Sequence, residues 1–132
     1  MLTLRRLLLT LLLLAVSTPG FAQTRSAGLL NFHANASRFA CSNRDSGTVT
    51  VVSWPELKKL HEIPVGLHPE GVAWIGTSSS IACCVYGSDE IVIIDADSGQ
   101  ITRRIAVFDE PYGVVSSADG KLLFVTLEYP AQ

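Results

Sequence analysis

Soft metal ligands are scarce in this 132-residue chain: three histidines, three cysteines and one methionine. The cysteines, Cys41, Cys83 and Cys84, show no Cys-x-x-Cys spacing and have no histidine ligand nearby. That excludes the usual zinc sites and a Cys-x-x-Cys-His haem attachment. A glycine-rich phosphate loop and a Ser-His-Asp set are also missing, so the sequence names no reaction and calls for no cofactor or metal. Charged residues make up only 17% of the chain and are scattered, with no basic stripe. Nucleic acid is therefore excluded as a partner. The longest apolar run, Leu7 to Val16, has ten residues, whereas a membrane span needs roughly 20.

What that short run does fit is a secretory signal. Arg5 and Arg6 supply a basic start, Ser17-Thr18-Pro19-Gly20 breaks the run, and Gly20 and Ala22 are the small residues a signal peptidase requires before its cut. Residues 1–22 read as a signal peptide and 23–132 as the mature chain. Cleavage removes two arginines and moves the net charge from −2 to −4, eight basic against twelve acidic residues. The expected location is secreted, periplasmic or cell-surface, with no stable membrane span after cleavage.

The mature part repeats itself every 42 residues without a gap. Phe39-Ala40-Cys41 matches Ile81-Ala82-Cys83 and Leu123-Phe124-Val125. Gly47-Thr48-Val49-Thr50-Val51-Val52 matches Asp89-Glu90-Ile91-Val92-Ile93-Ile94. Ile63, Val65, Pro69, Gly71 and Val72 recur as Ile105, Val107, Pro111, Gly113 and Val114. Each repeat holds short runs rich in Val, Ile and Thr, separated by Gly, Ser and Asp turns, as strands and hairpins require. In the second repeat the strands are expected at 71–75, 81–86, 90–95 and 101–107. In the first they are expected at 29–32, 38–43, 48–53 and 59–65, and in the third at 113–116 and 122–127. A fixed period of this length, filled with strands, predicts an all-β chain of four-stranded antiparallel β-propeller blades. The repeats run about 25–66, 67–108 and 109–132, the last cut short, giving about two and a half blades and an incomplete ring. Since a ring takes 4–8 blades, the expectation is the N-terminal part of a longer propeller, or a truncated product. Leu122 to Leu127 should then be an uncovered apolar edge.

The pattern resembles the YVTN-type β-propeller repeat family over about residues 28–130. Arg38-Phe39-Ala40-Cys41-Ser42-Asn43 and Leu123-Phe124-Val125-Thr126 stand where the family has its Tyr-Val-Thr-Asn strand. Gly47 to Val52 and Glu90 to Asp95 stand for its Thr-Val-Ser-Val-Ile-Asp strand. Ile63-Pro64-Val65-Gly66 with Pro69-Glu70-Gly71-Val72-Ala73 stands for its link between blades, and Ala118-Asp119-Gly120-Lys121 for its Pro-Asp-Gly-Lys turn. Gly76-Thr77-Ser78-Ser79 and Ser53-Trp54-Pro55 depart from the pattern locally. The resemblance implies an exported protein that serves as a binding or surface-interaction scaffold for a protein or small-molecule ligand. It also implies a second class, the propeller portion of an enzyme, lactonase-like or joined to dehydrogenase or haem chemistry, with its catalytic residues outside this chain.

Within the repeat, Cys41 and Cys83 occupy one position on neighbouring blades, too far apart for a disulfide, while Cys83 and Cys84 point to opposite faces. All three read as small buried apolar groups. Asp95-Ala96-Asp97-Ser98-Gly99 has the start of a calcium loop but lacks its Asp-Gly pair and closing Glu, and reads as a turn. His61 falls on an outer strand, where solvent is expected. The links into the inner strands lie at one mouth of a propeller's channel, so His68, Glu70, Glu110 and Tyr112 are the candidate ligand contacts, against ordinary loop polarity. Phe32, Phe39, Trp54, Trp74, Tyr86 and Phe124 read as packing between blades. Blade faces left open invite self-association.

Overall fold

A computed structural model describes residues 29–128. The expected signal segment, 1–22, lies outside the described residues. The described chain forms ten strands and one 3₁₀ turn: β1 (Leu30–Phe32), β2 (Arg38–Asn43), β3 (Thr48–Ser53), β4 (Lys59–Pro64), β5 (Pro69–Trp74), β6 (Ser80–Val85), the turn Tyr86–Ser88, β7 (Glu90–Asp95), β8 (Gln100–Ala106), β9 (Pro111–Ser116) and β10 (Leu123–Leu127). They make three antiparallel sheets in chain order: β1 to β4, β5 to β8, and β9 with β10. These are two complete blades and half of a third, and within the described residues the ring does not close. No helix among them is long and apolar enough to cross a membrane.

The expected strands lie within one or two residues of the observed ones, and three of them, 38–43, 48–53 and 90–95, coincide with β2, β3 and β7. The 42-residue offset extends to the backbone where the residue types differ. Left-handed φ values occur at Gly47 and Asp89, at Leu57 and Gly99, and at His68 and Glu110, three pairs separated by the repeat length. At Asp89, Leu57, His68 and Glu110 a side chain occupies a conformation that glycine adopts most cheaply, so the position in the blade, not the residue, sets the turn.

Alternation along the strands divides each blade into two packing faces. In the second blade, Val72, Trp74, Ile81, Cys83, Val85, Val92 and Ile94 join Ala40, Val49, Val51, Ile63 and Val65 of the first blade in one core. The opposite face, Ala73, Ala82, Cys84 and Ile91, joins Val114 of the third blade in a second core, with Ile93, Ile105, Leu123 and Val125 packed against it. All six residues of β5 are buried, since it lies between β1 and β9. Each fully buried Val or Ile contributes roughly 1.5–3 kcal/mol by leaving water, so the two layers between blades are the main source of stability.

Neighbours Cys83 and Cys84 belong to the two different cores, as their adjacency on one strand requires. All three cysteines are free thiols, with Cys83 and Cys84 buried and Cys41 half-buried. Burial pushes Cys84 up to about 12 and Cys83 higher still, with the charge of Cys84 and then of Glu70 adding to the Cys83 shift. Cys41 is also raised by burial, though a backbone hydrogen bond from Thr50 works against it. Because the thiolate is the reactive form, a thiol-specific disulfide reagent should modify Cys41 first in dilute native protein. Cys83 and Cys84 should react only with unfolding. Thiol titration with and without denaturant, repeated on Cys41→Ser, checks this; rapid native labelling of the C41S chain would show that the two cores are open.

Candidate functional site

Each of the first two blades sends its β2-to-β3 type hairpin and its link to the next blade to the same end of the molecule, and backbone hydrogen bonds join the two. Val65 and Gly66 donate to Gly47 O, Tyr86 donates to His68 O at 3.1 Å, and Gly87 donates to Leu67 O at 3.0 Å. One repeat later, Val107 donates to Asp89 O and Glu128 to Glu110 O. The opposite end carries the remaining turns, tied in the same periodic way by Trp54 N to Ser37 O and Ala96 N to Ser79 O. The links before β5 and β9 are therefore held at a fixed height, although no regular ladder includes them.

All four expected contact residues lie at this end. His68 is exposed in a left-handed conformation immediately before β5. Glu110, its equivalent before β9, is half-buried, and its backbone N–H donates to Asp89 Oδ1 at 2.9 Å. Tyr112 is half-exposed. Glu70, its equivalent in the second blade, is buried and its carboxylate is engaged by Arg44 Nε of the first blade. The Glu70 carbonyl also accepts from Ser42 Oγ at 2.5 Å. Glu70 thus bridges two blades, while His68 and Tyr112 face solvent.

Two participants were not visible in the sequence reading. Arg44, Tyr86 and Glu128 are repeat-equivalent positions directly after β2, β6 and β10, and the first two reach toward the link of the next blade. Arg44 pairs with Glu70. The Tyr86 phenol donates to the Glu110 carboxylate, with Glu128 also close, and this holds the phenol up to about 12. The signal for them was the offset itself: one hairpin position facing an acid in the next repeat. Their residue types differ, Arg in one blade and Tyr in the next, and that hid the shared role.

The Tyr86 shift has a measurable consequence. A phenol normally ionises near 10; its raised value means that the contact stabilises the fold below that pH and is lost as pH rises through about 12. Alkaline ultraviolet difference titration should show a late tyrosine component from Tyr86. Tyr86→Phe should remove the late component, and Glu110→Gln should bring it back toward the ordinary range. A titration unaltered by Y86F would place the phenol away from the carboxylates.

Elsewhere the polar constellations are structural. The Asp95 carboxylate accepts from Asp97 N at 3.0 Å, Ser98 Oγ at 2.9 Å and Ser79 Oγ at 3.3 Å. These bonds, the one from Asp97 first, hold Asp95 below the usual carboxylate range and complete a turn. Among the described residues no three His, Cys, Asp or Glu side chains are placed to hold a metal ion. His61 is only half-exposed and lies against Gly99, whose missing Cβ would fall 2.6 Å from His61 Nδ1; the next blade covers the solvent-facing position that an outer strand implies. His33 is buried, with its Nδ1 at 2.7 Å from Asn35 Oδ1 and its Nε2 at 3.1 Å from Ser78 O.

No protein family profile matches the sequence, and no curated protein does. Solved structures do match. Hydrazine synthase of Kuenenia stuttgartiensis superposes with a TM-score of 0.71 at 24% identity, covering 85% of this chain and 32% of that one. The dihydro-heme d1 dehydrogenase NirN, in complex with DHE, gives 0.66 at 18% identity, covering 74% of this chain and 22% of that one. The β-propeller domain of Cps50 (Swd1) from Myceliophteria thermophila gives 0.57 at 13% identity, covering 64% and 27%. Identities this low carry the fold alone, that of a β-propeller. The chain spans a third or less of the length of each of these structures.

Proposed function

We propose that this chain is the exported part of a β-propeller that acts as a binding or surface-interaction scaffold, with its ligand surface at the end formed by the blade links. One observation carries the reading. Leu67, Phe108 and Tyr112 are 68%, 78% and 51% exposed; the first two stand on links held by repeated backbone hydrogen bonds, and Tyr112 follows at the start of β9. Large apolar groups held in water on ordered backbone mark a contact surface, and loops positioned by a rigid scaffold are where recognition concentrates. Glu110, Glu128 and Asp89 close by make the surface acidic, so a ligand with a cationic group and an apolar body fits it. Export follows from the signal pattern of residues 1–22.

Two measurements test it. The amino terminus of the secreted product, read by mass spectrometry, should be Gln23. Titrating small aromatic amines while following backbone amide shifts should perturb residues 67–68, 86–89 and 108–112. Perturbations confined to the opposite end, at 34–37 and 76–79, would defeat this reading.

A second reading, the propeller portion of an enzyme, is favoured by the likeness to two structures whose names are those of enzymes, hydrazine synthase and dihydro-heme d1 dehydrogenase. Reading the coding sequence past Gln132 separates the two. A Cys-x-x-Cys-His motif, or channel-facing histidines and carboxylates in later repeats, would favour the enzyme.

A further inference from the structure

His68 and Glu110 hold one position in successive links, and both take a left-handed backbone, with φ of 51° and 29°. A Cβ makes that conformation costly, whereas glycine takes it freely. Each carbonyl is tied in the same way, His68 O to Tyr86 N and Glu110 O to Glu128 N. Beyond this the two links differ. Glu110 is supported twice: its N–H donates to Asp89 Oδ1 at 2.9 Å, and its carboxylate accepts from the Tyr86 phenol. His68 has neither support. The counterpart of Asp89 is Gly47, which has no carboxylate, and the counterpart of Tyr86 is Arg44, which pairs with Glu70 instead. The His68 side chain is exposed and has no hydrogen-bond, ion-pair or ring partner among the described residues.

Leu67 beside it has the same character. It is 68% exposed while its carbonyl accepts from Gly87 N at 3.0 Å. A Cβ on Gly87 would fall 2.7 Å from Leu67 Cβ, so the hairpin of the second blade runs directly against this link. The two blades that flank the link both have all four strands, so its exposure is not that of an uncovered blade face. The fold thus holds a strained imidazole and a wetted leucine on fixed backbone and gains no side-chain contact from the imidazole. Strain that no local contact offsets points to function.

We propose that His68 is a specificity-determining contact, one that reads a hydrogen-bonding group at the far end of the ligand from its cation. This rests on the ligand-binding reading above. The hairpin Tyr86–Asp89 lies between the two links. Its backbone is bonded to Leu67 and His68, and its Tyr86 and Asp89 side chains are bonded to Glu110. A ligand whose cation sits at Glu110 and Asp89, and which crosses this hairpin, reaches Leu67 and His68 with its other end. Leu67 packs against the apolar body, and a ring nitrogen of His68 shares a hydrogen bond with a terminal hydroxyl, since imidazole can donate or accept. The ligand class is then a hydroxylated aromatic amine rather than a plain one.

Tyramine and phenethylamine, which differ by that hydroxyl alone, test this when titrated against the backbone amide shifts of the link end. Wild type should bind tyramine about fivefold more tightly, the scale of one added hydrogen bond. His68→Gly should bring tyramine down to the affinity of phenethylamine. The same variant should unfold in urea at or above the wild-type midpoint, since glycine relieves the left-handed backbone. His68→Ala should lose the preference equally, with a midpoint below that of H68G. Equal binding of the two amines by wild type, a preference kept in H68G, or a midpoint lowered in H68G overturns the inference while the ligand reading stands. Binding of neither amine at this end defeats that reading and the inference with it.

Discussion

Gly71→Ala should destabilise the fold by about 2 kcal/mol and Gly71→Val by about 3 kcal/mol, the range for forcing extra carbon into a closed interior. Gly71 is buried on β5, and a Cβ built on it would lie 2.7 Å from Tyr112 O, 2.9 Å from Gly113 Cα and 2.9 Å from Val114 N. All three are backbone atoms of β9, so no side chain can swing aside and the neighbouring blade itself must move. Blades are wedges and their inner strands converge, which leaves no room for a side chain at this point. Denaturant unfolding followed by circular dichroism should show the midpoint falling in the order wild type, G71A, G71V, with the slope unchanged. A midpoint unmoved in G71V would mean that β5 and β9 stand further apart than described.

The same glycine shows why the fold was legible. The spacing Pro69-Glu70-Gly71-Val72 of the second blade returns as Pro111-Tyr112-Gly113-Val114 in the third, although the first blade has Leu29 at the glycine position, and a recurring geometric need leaves a recurring letter. Runs rich in Val, Ile and Thr, bounded by turn residues and repeated at 42, did the same for β2, β3 and β7. The site was legible only in outline. Position at the end formed by the blade links followed from the repeat, so His68, Glu70, Glu110 and Tyr112 could be singled out. Their partners could not, because Arg44 and Tyr86 meet their carboxylates across a blade boundary, and that contact depends on hairpin height and side-chain reach. Packing was misjudged for a related reason. Of the six aromatics assigned to contacts between blades, Trp74 alone is buried. Phe32, Phe39 and Trp54 cluster on a face that no described residue covers, Phe124 is exposed, and Tyr86 meets Glu110 at the link before β9. A repeat predicts which face a side chain takes, but burial also requires a neighbouring blade to cover that face.

Trp74 is where the first two blades are most firmly joined, and its removal should cost about 3–5 kcal/mol, as for other buried Trp→Ala changes. The indole is 4% exposed. Its Nε1 donates to Asn31 O at 3.0 Å, and the backbone N–H of Trp74 donates to Asn31 Oδ1 at 3.0 Å. The His33 ring meets the indole edge-on at 4.7 Å. The Arg38 guanidinium lies 4.9 Å from the ring while pairing with Asp97 of the second blade at 2.6 Å. Trp74→Ala therefore opens a void between blades and leaves the Asn31 carbonyl without this donor. Trp74→Phe keeps much of the apolar contact and should cost about 1–2 kcal/mol, the scale of losing one buried hydrogen bond. The two substitutions should also differ in kind. In repeat architectures, stability is a sum of unit terms and nearest-neighbour terms, and Trp74 belongs to a neighbour term. W74F should keep a single cooperative transition at a lower midpoint. W74A should broaden it or split it in two, with the first blade melting before the second. Trp54 emission then reports the first blade separately, because Trp54 and Trp74 are the only tryptophans and Trp54 lies in the first. A W74A chain that unfolds in one sharp step, with Trp54 emission and circular dichroism coincident, would show that the blades are coupled through their backbone links and inner strands rather than through this side chain.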